Sequence, residues 1–164
     1  MKDLAFHWMI KKMKQHETII RVKGQFFIRC YGPDGVLKSE RSGPNVITDG
    51  GKEYLASFLN SAANGTSTFP VRYISVGTST SPEAASNIAM GAALVRQTGT
   101  ASYISGSIYQ VKATFPSGLA VGQVAEYGMF NTSAGGTLVS RDTESTIAVG
   151  ASDTLTVTWQ MTLS

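Results

Sequence analysis

Thr154-Leu155-Thr156-Val157-Thr158-Trp159-Gln160-Met161-Thr162-Leu163 alternates without a break, so Leu155, Val157, Trp159, Met161 and Leu163 share one face and four threonines dominate the other. Side chains of an extended strand point in turn to opposite sides of its sheet, and threonine tolerates a wet pleat. The stretch therefore reads as a strand packed on one side only. One-sided burial is the mark of antiparallel, layered β structure. The fold expected from it is mainly β, an antiparallel, jelly-roll-like β-sandwich with Leu155, Val157, Trp159 and Met161 in its core.

Upstream, the chain is cut into short β-prone runs by Gly, Pro, Ser and Asn. Residues 18–31 and 36–41 flank Gly32-Pro33-Asp34-Gly35, a strong turn signal, and predict a hairpin over 18–41. Gly43-Pro44 should then break the chain. A helix is expected over about 50–60, capped by Thr48 or Asp49, with Tyr54, Leu55, Phe58 and Leu59 as its apolar stripe and Phe58 in the core. Residues 71–76, 92–98, 103–115, 121–130 and 137–143 read as strands, making about eight in all, and Phe130 is assigned to the core. Residues 78–90, carrying Ser81-Pro82-Glu83, read as a long ordered loop or a helical turn. Helices do not alternate with the strands, which argues against parallel winding.

The chain of 164 residues, with 42% hydrophobic residues, suits one domain (18–164) preceded by an arm (1–17). Nine Lys and Arg against four acids fall in residues 1–41, whereas the remainder is net negative by two. Within the arm, Phe6, Met9, Ile10 and Met13 recur at three- and four-residue steps, with Lys11, Lys12 and Lys14 mainly on the other side. This is the pattern of a short amphipathic helix, which is marginal alone in water and must dock on its own domain, a sister chain or a partner. Phe6, Trp8, Met9, Ile10 and Met13 are the expected apolar contacts to a partner, and Lys11, Lys12 and Lys14 the expected contacts to an acidic surface. No apolar run is long enough to span a membrane, and the N-terminus lacks the pattern of a secretory signal, so synthesis in a cytoplasm without membrane insertion is expected.

Little in the sequence points to a reaction. His7 and His16 both lie in the arm, where a base is poorly held for proton transfer. No nucleophile elbow or phosphate-binding glycine motif is present. The lone Cys30, within the apolar run 26–31, reads as a buried packing thiol, and no paired Cys/His spacing suggests a metal. Asp142 and Glu144, two apart on a strand, share a face; a solvated strand end outweighs a glycosidase pair or cation site. Glu126 lies among apolar neighbours and needs a partner such as Arg141 or Arg96. Tyr73, Tyr103 and Tyr109 offer aromatic platforms for a carbohydrate but more often pack in sheets. No catalytic residue, cofactor, metal or sequence-specific nucleic-acid contact is expected.

Taken in order, Asn45-Val46-Ile47-Thr48-Asp49-Gly50-Gly51 with Tyr54-Leu55-Ala56, Tyr73-Ile74-Ser75-Val76-Gly77-Thr78, Ala93-Leu94-Val95-Arg96, Glu126-Tyr127-Gly128-Met129-Phe130 and Gly136-Thr137-Leu138-Val139-Ser140-Arg141 form a series. Together with the closing Thr-Trp strand, this series resembles small tailed-bacteriophage virion structural proteins over residues 43–163. The resemblance implies a β-sandwich and a place in the virion, either as a capsid cement or decoration protein or in the tail or baseplate. It further implies a major capsid protein or other virion protein as partner, and Glu126 with Arg141 as an internal ion pair. A homo-oligomer, with a trimer favoured, fits such a role.

Overall fold

The computed structural model describes residues 21–65, 71–104 and 106–164. The arm residues Phe6, Trp8, Met9, Ile10, Lys11, Lys12, Met13 and Lys14, and both histidines, lie outside the described residues.

Nine strands and one helix are described: β1 (Val22–Tyr31), β2 (Leu37–Ile47), α1 (Asp49–Ala63), β3 (Tyr73–Gly77), β4 (Ala93–Thr98), β5 (Thr100–Tyr103), β6 (Ile108–Phe115), β7 (Gly122–Phe130), β8 (Leu138–Val149) and β9 (Thr154–Leu163). All pair antiparallel in the order β4-β3-β7-β8-β2-β1-β9-β6-β5. Two layers arise because β2 changes partner along its length. It pairs with β1 as far as Asn45, then with β8 through Val46 and Ile47. The sheet thus folds over itself at β2, and β4, at one end of the strand order, joins β5, at the other, through the single residue Gly99. A Cβ on Gly99 would lie 2.5 Å from Val111 Cγ1 and 3.1 Å from two backbone oxygens, so only glycine fits this corner.

The alternation of β9 sets the core. Trp159 stands between Phe26 of β1 and Val111 of β6, Val157 between Ile28 and Ala113, and Leu155 between Cys30 and Phe115, all of them buried. Ile74, Val76, Val124, Tyr127, Met129, Val139 and Ile147 close on these rows from the other layer. Met161 and Phe130 are buried as expected. The threonine face of β9 is half-buried rather than fully wet, because β9 is flanked by β1 and β6 and Gln160 donates to Gln110 at 2.8 Å. Trp159 Nε1 is 2.7 Å from the Asn45 amide, whose oxygen faces it because an indole N–H can only donate.

Several boundaries differ from the sequence reading. The β1–β2 hairpin turns where expected: Gly35 N donates to Gly32 O at 3.0 Å, Val36 N to Asp34 Oδ1 at 3.0 Å, and Gly35 takes φ +77°. Gly43-Pro44 does not break the chain, however. Pro44 lies where β2 has only β1 as neighbour, a setting that tolerates a missing donor. The expected strand over 103–115 is two strands with a turn between them, where Gly106 has φ +57°. The strand expected over 137–143 runs on to Val149, its far end pairing with the start of β7.

Helix α1 is capped by Thr48, whose hydroxyl accepts from Gly51 N at 2.9 Å and donates to Leu138 O, while its backbone N donates to Val139 O at 3.1 Å. Gly51 is the helix's buried residue, and a Cβ there would come within 2.1 Å of Val139 O. The helix is therefore seated on β8 by its first turn. This corrects the assignment of Phe58 to the core: it is half-buried, because the later turns carry Leu55, Phe58 and Leu59 to a surface groove beside β1 and β9.

Candidate functional site

Register brings Glu126 and Arg141 together. Gly128 of β7 faces Arg141 of β8, and Glu126 lies two residues along on the same side of the sheet. Arg141 Nη2 is 2.7 Å from Glu126 Oε1 and Nε is 2.8 Å from it, with both side chains at most 3% exposed. This is the pair expected from the sequence. Arg96, the other candidate partner, instead lies over the Phe130 ring, 3.4 Å from its centroid, and donates to Thr132 O at 2.9 Å and Gly135 O at 2.8 Å.

The remaining capacity of the pair is spent on the loop 78–92. Glu126 accepts from Gly91 N at 2.6 Å and Ala92 N at 3.0 Å. Arg141 donates to Ser81 O at 3.1 Å, Pro82 O at 3.1 Å and Asn87 Oδ1 at 3.0 Å. Around this clamp, Thr143 Oγ1 donates to Glu83 Oε2 at 2.6 Å, Asp49 N to Ala85 O at 2.8 Å, and Thr78 N to Ala92 O at 2.9 Å, which joins the loop's two ends. Glycine is required at Gly77, where a Cβ would meet Ala92 O at 2.5 Å. The result is an Ω-type loop, the ordered loop expected from 78–90, without helix. Its apolar Ile88 is 88% exposed.

On the opposite side of β8, Asp142 faces Tyr127 in register. Asp142 Oδ2 and Tyr127 Oη are the buried side-chain polar atoms that lack a hydrogen-bond partner among the described residues. Burial, then repulsion from Glu83 and Glu144, pushes the Asp142 carboxyl up to about 7. Burial likewise raises the Tyr127 hydroxyl. Glu144, half-buried, accepts from Ser145 N at 3.3 Å. Among the described residues, no group of three or more His, Cys, Asp or Glu is placed to hold a metal ion.

Cys30 is buried, its thiol raised by burial and by neighbouring Asp153, which Lys38 holds below the usual carboxylate range. Of the three tyrosines, Tyr109 donates its hydroxyl to Val71 O and is pushed up to about 12 by burial, and Tyr73 is half-buried with Arg72 5.9 Å from its ring. Only Tyr103 projects, 73% exposed, its hydroxyl tied to Gly106 O at 2.7 Å. No described helix is long and apolar enough to cross a membrane. Sequence reasoning found the ion pair but not what it holds, since the loop's partners are mostly backbone groups without a residue-type signal; Ser81-Pro82-Glu83 was the one local hint. The chain matches no family model, no curated protein and no solved structure.

Proposed function

We propose that this chain is a non-enzymatic structural protein of a tailed-phage virion, a capsid decoration or cement protein that bridges neighbouring shell subunits. The observation that carries the reading is the loop 78–92, fixed by a buried ion pair and carrying an isoleucine held out in water. A buried ion pair contributes little net stability compared with apolar side chains of similar volume. A loop ordered before binding, by contrast, loses less conformational entropy on association. The pair's use is then to pre-organise a contact, with Ile88 as the apolar anchor. The basic arm 1–17 supplies a second contact, to an acidic surface of the major capsid protein. Several modest contacts joined through a homo-oligomer, a trimer by preference, raise net affinity through effective concentration.

The exposed ring of Tyr103 favours the second reading, a tail or baseplate component with carbohydrate contact. Immunogold microscopy of phage particles produced in cells expressing the chain separates the two. Regular label over the shell is the expected result; label confined to the tail tip supports the second reading, and unlabelled particles sink both. On purified shells, Ile88→Asp should weaken binding at least tenfold, about 1.4 kcal/mol, while the melting temperature stays within a degree or two.

A further inference from the structure

Beside the start of β1, the later turns of α1 and the ends of β1 and β9 enclose an apolar groove of about 380 Å³, lined by Val22, Leu55, Phe58, Leu59, Met161 and Leu163 among others, with no polar surface. Leu59 is 66% and Leu163 51% exposed, an apolar wall facing water. The chain enters the described body at this same corner. Arg21 pairs with Ser164 in both directions, at 2.6 and 2.9 Å, and the next residue, Val22, already forms part of the groove.

We infer that the groove is the seat of this chain's own residues 4–13, whose Phe6, Met9, Ile10 and Met13 fill it. Three observations select this occupant. The stripe is apolar and recurs at helical spacing, matching a groove that exposes no polar surface. A ten-residue amphipathic helix needs a surface to form on, since it is marginal in isolation. Finally, residues 14–21 span up to about 26–29 Å when extended, enough for the arm to turn back onto a groove that begins at the next residue. Tethering this short gives an effective concentration in the millimolar range, so weak apolar contact suffices. Seated this way, the arm turns Lys11 and Lys12 outward. The docking is a property of the free chain and does not depend on the virion reading.

The test uses the full chain alone, with the photo-crosslinking residue p-benzoylphenylalanine in place of Leu59, an exposed site that tolerates the larger ring. Irradiation at micromolar concentration followed by peptide mapping should give adducts within one chain to residues 4–13. Adducts joining two chains would make a second copy the occupant and overturn the proposal, as would adducts restricted to residues 66–70 or no adduct at all. As a second measurement, M9D/I10D should reduce the adduct yield at least tenfold and speed tryptic cleavage after Lys11, Lys12 and Lys14 at least tenfold. Unchanged yield and cleavage would equally overturn it.

Discussion

Two residues show how burial is used differently within the same core. Trp159 is 1% exposed, packed against Phe26 at 6.3 Å between ring centroids and bonded through its indole nitrogen to Asn45. Trp159→Ala should therefore destabilise the fold by about 3–5 kcal/mol in urea denaturation. Asp142 is buried to a similar degree but leaves one oxygen without a partner among the described residues, its carboxyl raised to about 7. An acid whose native value lies above its unfolded one binds its proton more tightly when folded. Its contribution favours folding below about pH 4 and is lost as pH climbs to about 7, by up to about 4 kcal/mol. Asp142→Asn should accordingly raise stability at pH 8, leave it nearly unchanged at pH 4 and flatten the profile between. A stability gain equal at both pH values would refute the assignment.

At the scale of elements, the loop 78–92 and the strands β7 and β8 form one unit, because Glu126 and Arg141 satisfy backbone groups of the loop as well as each other. Arg141→Met leaves a buried carboxylate uncompensated and should cost about 3–5 kcal/mol. The distinguishing readout is local: amide exchange at Gly91 and Ala92 should accelerate beyond the change in global stability, whereas uniform acceleration would make the pair a general core contact. Much of this level was legible beforehand. Strict alternation predicted β9 and Gly32-Pro33-Asp34-Gly35 predicted the hairpin turn, since each is encoded by neighbouring residues. Phe58 was misplaced because an apolar stripe shows that a helix buries something without saying where along its length it is seated. That seat is set by Gly51 against Val139, a contact between residues far apart in the chain. The run through Pro44 was missed for a related reason: whether a proline ends a strand depends on how many neighbours the strand has at that point.

For the molecule as a whole, a mainly β, two-layered body was readable from composition and pattern, but its closure was not. Residues 92–98 and 103–115 gave no sign that a single glycine between β4 and β5 turns the corner that joins the two ends of the strand order. Gly99→Ala should cost about 1–3 kcal/mol through crowding against Val111 and two carbonyls, measured as a shift of the denaturation midpoint. An unchanged midpoint would mean that the corner has slack.

That corner also limits how copies of the molecule can meet. The outermost strands are short, Ala93–Thr98 and Thr100–Tyr103, and belong to one kinked stretch of backbone. Neither offers a neighbouring chain a long ribbon to zip onto, the route by which β proteins grow into fibrils; the longer open edges lie where the sheet folds, β2 from Leu37 to Asn45 pairing only with β1 and β8 beyond Arg141 only with β7. The β2 stretch carries Lys38, Glu40, Arg41 and Pro44, charges and a missing donor that discourage a further strand from adding there, so this edge is guarded by its composition and not by its length.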